Sequence, residues 1–347
     1  MTVSIPRRTM LGSLVAMASL AGCARGGFAH GAPPRPMSLD ALELVADGIE
    51  RPESVALARD GRAYVSSSAA AVIEIGPGGA RRPIGVAPAA NGIALDRQGR
   101  MIIANFGLLK NLPGTLQRLD LESGAIETIA AEIDGRPLAA SNGPAIGEDG
   151  SVYCTHSTWS DPTNIGTTNP AGFVYRVDPS GRVEMVHQGI RGANGCCFDA
   201  DFSHLYVAQT AAGNIVRLSR RRDGGYGDPA IWGPRLGEAP DNLQASTIVA
   251  MPPAERVRLG HPDGIAFDAA GNLWATIPFA NRIVAITPRG QVIDVIVDAG
   301  STKIQMPTGL AFGGADLREL YIASMSNGRL WKLKVETPGL ALPHWRA

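Results

Sequence analysis

Six times along this chain of 347 residues, a short apolar run is led by a residue that can coordinate a metal or hydrogen-bond a ligand. The copies are Glu53-Ser-Val-Ala-Leu-Ala, Asn91-Gly-Ile-Ala-Leu-Asp, Asn142-Gly-Pro-Ala-Ile-Gly, Asn194-Gly-Cys-Cys-Phe-Asp, Asp263-Gly-Ile-Ala-Phe-Asp and Thr308-Gly-Leu-Ala-Phe-Gly. After each comes a second apolar run, usually across a Gly-containing turn: Ala63-Tyr-Val, Met101-Ile-Ile, Val152-Tyr-Cys, Leu205-Tyr-Val, Leu273-Trp-Ala and Leu320-Tyr-Ile. Two such runs joined by a turn are the signature of a hairpin. Third runs alternate with a period of two, as in Phe173-Val-Tyr-Arg-Val and Arg282-Ile-Val-Ala-Ile, and fourth runs such as Val292-Ile-Asp-Val-Ile-Val complete the unit. The expected fold is all-β, a six-bladed β-propeller of four-stranded antiparallel blades whose innermost strands surround one channel.

The last repeat lacks a fourth strand, because Pro338 and Pro343 break up the stretch after Leu330-Trp-Lys-Leu-Lys-Val. The segment from Glu43 to Glu53 aligns without a gap on that from Glu184 to Asn194, so a strand at about 42–49 is expected to complete the last blade. Closure of that kind protects edges that would otherwise invite aggregation. The expected organisation is a leader over 1–23, a flexible tether over 24–40, the propeller over 41–337 and a C-terminal tail over 338–347. The interval between Asn194 and Asp263 exceeds its neighbours by roughly 20 residues, an insertion spanning Leu236 to Leu259 that reads equally as a gate or as a surface loop.

The head residues should meet on the propeller axis, in a narrow channel where unpaired charge is costly. Glu53 and Asp263 therefore need a cation or strong donors. With Asn142 and Asn194 they form an oxygen-rich set from four repeats, suited to a hard divalent ion, most simply Ca2+, with Zn2+, Mg2+ or Mn2+ as alternatives. An Asn-Gly or Asp-Gly pair can also serve merely as a turn into a strand, but a common position in six repeats points to the metal. A second ring lies at the ends of the second strands: Ser67, Asn105, His156, Gln209, Ile277 and Ser324. His156 alone among them titrates near neutral pH, which makes it a candidate general base, proton shuttle or substrate donor. Asn105 is a candidate substrate contact beside it.

The N-terminus carries Arg7-Arg8, an uncharged stretch from Thr9 to Gly22, and Leu20-Ala21-Gly22-Cys23. A charged n-region and a short apolar h-region mark an export signal. The arginine pair suggests the twin-arginine route, and the quartet resembles a bacterial lipobox, in which Cys23 would be acylated and the protein held at a membrane or released to the periplasm. Lys plus Arg 32 against Asp plus Glu 32 leaves no basic surface of the sort nucleic acid requires. Beyond the leader, Cys154, Cys196 and Cys197 have no metal-ligand spacing and are expected in the core.

The segment Pro-Asp263-Gly-Ile-Ala-Phe-Asp-Ala-Ala-Gly-Asn-Leu-Trp-Ala, with Asn194-Gly before it and Pro307-Thr308-Gly-Leu-Ala-Phe-Gly after it, closely resembles the SMP-30, gluconolactonase and luciferin-regenerating-like family. The resemblance covers about 42–335. It implies a calcium or other divalent ion in the channel held by Glu53, Asn194 and Asp263, with Asn142 as a fourth ligand or a substrate-orienting amide and Asn91 lining the pocket. It also implies hydrolysis of a lactone or similar ester; the expected catalytic side chains are Asp263 and, from its place in the second ring, His156, and the expected state is a monomer. Gln209 stands where many relatives carry an acid. A phosphotriesterase resembling diisopropyl fluorophosphatase shares the ligand pattern, and a non-catalytic propeller pinned by its metal is the alternative from another class.

Overall fold

A computed structural model of the chain describes residue 1 and residues 33–158 and 160–346. The leader, including Cys23 and Arg7-Arg8, otherwise lies outside the described residues. Six four-stranded antiparallel sheets follow one another along the chain. Their innermost strands are Val55–Leu57, Ala90–Leu95, Ser141–Ile146, Ala193–Phe198, Ile265–Phe267 and Pro307–Gly313, and each packs on the next, the sixth on the first. The ring is closed as the repeat arithmetic requires: Glu43–Ala46 pairs antiparallel with Arg329–Lys334, matching Glu43 to Lys332 and Leu44 to Trp331. Among the described residues no helix is long and apolar enough to cross a membrane.

The repeated aromatic in the second strand and the repeated Phe of the inner strand are partners across blades. Tyr153 meets Phe198, Tyr206 meets Phe267, and Trp274 meets Phe312, edge to face with centroids 5.0, 4.8 and 5.6 Å apart. In the other blades aliphatic side chains take one side of the same contact: Tyr64 clusters with Leu95, Ile102 with Ile146, and Tyr321 with Leu57. Edge-to-face pairs contribute about 0.5–1.5 kcal/mol beyond the area they bury. Trp274 is 2% exposed and also donates Nε1–H to Asp268 Oδ2 at 3.0 Å. Trp274→Ala is therefore expected to cost about 3–5 kcal/mol, read as a fall in the urea midpoint at constant slope.

Two terminal segments are docked more closely than the sequence implied. The end of the expected tether is held, with Met37 N–H on the Val295 carbonyl at 2.7 Å and Lys303 Nζ on the Leu39 carbonyl at 2.9 Å. Met37 and Leu39 pack on the cluster between the last two blades, which supplies the apolar area that fixes them. The C-terminal segment crosses the far end of the channel, where Leu340 N–H bonds the Phe267 carbonyl, His344 Nε2 bonds the Leu57 carbonyl, and Arg346 lies over the Phe202 ring. These contacts span the first, fourth and fifth blades.

Candidate active site

The heads owe their position to a belt of close backbone contacts. Just after each head but Glu53, a glycine presses on the head of the next blade. A Cβ on Gly92 would lie 2.0 Å from the Asn142 carbonyl oxygen, on Gly195 2.4 Å from that of Asp263, on Gly264 2.6 Å from that of Thr308, and on Gly309 2.6 Å from that of Glu53. None of these glycines, and no head residue, has positive φ. The Asn-Gly and Asp-Gly pairs are thus not left-handed turns, and Gly is there because two strands meet. The strand ladder slips at Asn91, Asn142, Asn194 and Thr308, and such irregularities re-aim side chains at a channel. Hydroxyls tie neighbouring blades at the same level: Thr155 Oγ1 donates to the Asn194 carbonyl at 2.6 Å and Thr276 Oγ1 to the Thr308 carbonyl at 2.9 Å.

Glu53, Asn91, Asn142, Asn194, Asp263 and Thr308 all line one cavity of about 170 Å³, whose walls are apolar inner-strand side chains and whose floor is the segment Leu340 to Arg346. Arg51 Nη2 lies 3.8 Å from Glu53 Oε2 and donates to Asn91 Oδ1 at 3.2 Å. Asn91 Nδ2 in turn donates to Asn142 Oδ1 at 3.0 Å, and Asn142 Nδ2 to Ser157 Oγ at 2.9 Å. On the other side Asn194 Nδ2 donates to Thr210 Oγ1 at 3.1 Å, and its Oδ1 is buried without a hydrogen-bond partner among the described residues. Burial pushes the Glu53 carboxyl above its usual range, against the pull of Arg51 and Asn91. Burial, reinforced by the Glu53 charge, pushes Asp263 well up, opposed by Arg51 and Asn194.

Two buried carboxyls, one of which raises the other's proton affinity, beside an orphaned amide oxygen, are a donor set that a hard cation satisfies. Asn142 shares its oxygen with Asn91, so the three residues whose oxygens are most available are Glu53, Asn194 and Asp263. Among the described residues no three His, Cys, Asp or Glu side chains converge, so the set rests on these acids and amides.

The second ring has another role. Ser67 Oγ donates to the Glu50 carbonyl, Gln209 Oε1 accepts from Arg191 N–H, and Ser324 Oγ bonds the backbone of Gln305. His156 Nε2 accepts from Ala139 N–H at 3.1 Å and Ala140 N–H at 2.9 Å. Glu50, Ala139, Arg191 and Gln305 each lie three residues before a head. These side chains fix the backbone that leads into the inner strands. His156 is fully buried, stacked on Phe173 at 4.4 Å, and held at a pKa of about 3 by burial and by Arg136. His156 is not among the residues lining the cavity of the heads, and its Nε2 serves two backbone donors. Asn105 does not line that cavity either, and its amide nitrogen turns to Thr115 and Gln117 of its own blade. Cys154, Cys196 and Cys197 are free and buried, with thiols that burial makes harder to ionise.

The insertion between the fourth and fifth blades stands on the head face as a folded wall. Asn242 N–H bonds the Gly166 carbonyl at 2.7 Å and Ala245 N–H the Thr163 carbonyl at 2.8 Å, while Leu243, Ile248 and Leu259 share a small core with Ile165 and Phe279. Sequence reasoning also missed Arg51, whose signal was its place two residues before a head.

A family profile described as "SMP-30/Gluconolactonase/LRE-like region" matches residues 52–326. A 6-deoxy-6-sulfogluconolactonase of Pseudomonas putida is 30% identical over 185 residues, covering 50% of this chain and 56% of that one. The chain spans about half the length of the curated relatives that it matches first. A gluconolactonase of Xanthomonas campestris superposes with TM-score 0.65 at 21% identity over 89% of this chain and 96% of its own. Regucalcin of Agrobacterium tumefaciens, described as a calcium-binding protein, gives 0.65 at 17% identity over 88% and 97%. At these identities the two structures establish a shared fold.

Proposed function

The chain belongs to the SMP-30/gluconolactonase/LRE-like family, and from that premise we propose that it is a divalent-metal-dependent hydrolase of lactones or similar esters. The observation that carries the reading is the buried pair Glu53 and Asp263 beside the unpartnered Asn194 Oδ1. Relatives named as lactonases supply the substrate class.

Glu53, Asn194 and Asp263 would hold the cation, which supplies Lewis-acid polarisation of a carbonyl oxygen when bound. The chain's own residues do the rest. Asp263 offers its second oxygen to a water, taking a proton as the water oxygen bonds the acyl carbon. The ring C–O bond then breaks and its oxygen recovers a proton, giving a hydroxy acid. Asn91 and Asn142 are held in one hydrogen-bonded chain and would orient the substrate. The channel floor keeps bulk water from the acids from behind. The reading also places the protein outside the cytoplasm, on the strength of Arg7-Arg8 and the lipobox-like quartet ending in Cys23.

The test is initial rates for the leaderless protein on sugar, γ- and δ-lactones after chelation and again with calcium, manganese or zinc. Turnover lost on chelation and restored by a metal is expected. Turnover of phosphotriesters but of no lactone would replace the ester reading, and turnover that survives full chelation would remove the metal.

A further inference from the structure

Arg51 is, among the described residues, the one cation in contact with the ring of heads. Its side chain is 27% exposed, so the guanidinium is neither sealed in nor loose in solvent. Among the described residues its one hydrogen bond runs from Nη2 to Asn91 Oδ1, with Glu53 Oε2 3.8 Å away. The other donors of the fork are left for a ligand. Its backbone is held at φ 52°, a left-handed conformation that is strained for a non-glycine residue. Pro52 follows, and a residue before proline favours extended geometry instead. The flanking carbonyls are clamped: Glu50 by Ser67 Oγ and Ser68 N–H, Pro52 by Thr308 Oγ1. The chain is thus forced into a conformation that aims this guanidinium at the ring.

We propose that Arg51 is the substrate-anchoring cation of the site, donating its free guanidinium N–H groups to the oxygens of the lactone and then to the carboxylate released when the ring opens. The inference rests on the hydrolase reading. A planar guanidinium matches a carboxylate through two parallel hydrogen bonds, which an ammonium cannot reproduce. The same positive charge sits beside Glu53 and works against a second cation there, so Arg51 lowers metal affinity while raising affinity for substrate and product. A residue that merely propped Glu53 in place would raise both.

The test compares wild type, Arg51→Met and Arg51→Lys, each checked for folding by circular dichroism. Calcium is titrated calorimetrically into the chelated proteins, gluconate into the calcium-loaded proteins, and initial rates are taken on gluconolactone. Arg51→Met is expected to bind calcium about 3- to 10-fold tighter, to bind gluconate about 10-fold or more weakly, and to show a raised KM. Arg51→Lys should keep calcium affinity within about twofold and still lose gluconate binding and KM. Calcium binding and turnover that weaken together in Arg51→Met would overturn the proposal in favour of a buttress for Glu53. Unchanged gluconate affinity and KM would overturn it as well. A wild type that binds calcium yet opens no lactone would sink the hydrolase reading, and the gluconate titrations would still decide whether Arg51 captures carboxylates.

Discussion

Asp263→Asn is expected to lose about 10²- to 10³-fold in kcat/KM on any lactone the wild type opens, because in the proposed mechanism it would remove at once a ligand charge and the oxygen that takes the proton from water. The variant keeps the size of the side chain, so its folding should survive. Its stability carries the sharper signature. In the chelated wild type, the folded-state proton affinities of Glu53 and Asp263 are raised above their unfolded values, chiefly by burial. Folding therefore favours the protonated acids. The stability these two acids contribute is greatest below the unfolded carboxylate range near about pH 4 and falls as pH rises toward the raised folded values. Removing the Asp263 charge should flatten that fall. In chelator at pH 7, Asp263→Asn should thus melt above wild type. In calcium the order should reverse, since an ion at about 100 times its Kd adds about 2.7 kcal/mol to the protein that binds it and nothing to the one that does not. Thermal melts of both proteins with and without calcium check this, and parallel shifts would mean that the acids are not the cation site.

Gly92→Ala is expected to be among the most damaging single-methyl changes in the protein, at about 3 kcal/mol or more. The new Cβ would lie 2.0 Å from the Asn142 carbonyl oxygen and 2.7 Å from Pro144 Cδ. Neither neighbour can step aside, because Asn142 sits in the inner strand and is tied through both amide atoms to Asn91 and Ser157. The strain should push Asn142 off the ring and break its bond to Asn91, so that KM rises as stability falls. As a control, Gly99→Ala meets no atom within 4 Å. It lies at φ 76°, so its cost is confined to backbone strain of about 1 kcal/mol, and it should leave KM unchanged. Urea denaturation of the two variants gives the comparison.

The period-two patterning, the six in-register heads and the alignment of the N-terminal strand with the third repeat's outer strand determined the architecture from sequence, because strand pattern and turn chemistry are local. They also picked out Glu53, Asn194 and Asp263 as residues of one ring, since equivalent positions in a propeller must meet on its axis. Other features could not be read that way. His156 and Asn105 occupy equivalent positions at strand ends, but where a strand-end side chain points depends on the segment that folds over it. For His156 that segment supplied two backbone N–H groups that occupy its Nε2. Arg51 became visible only when its backbone was clamped by residues of its own and the last blade. The tail became a floor because His344 reaches a carbonyl 287 positions earlier, a pairing that no local pattern encodes. Even the glycine after each head but Glu53 was placed by tertiary structure, in the close approach of two strands from neighbouring blades, and not by a left-handed turn.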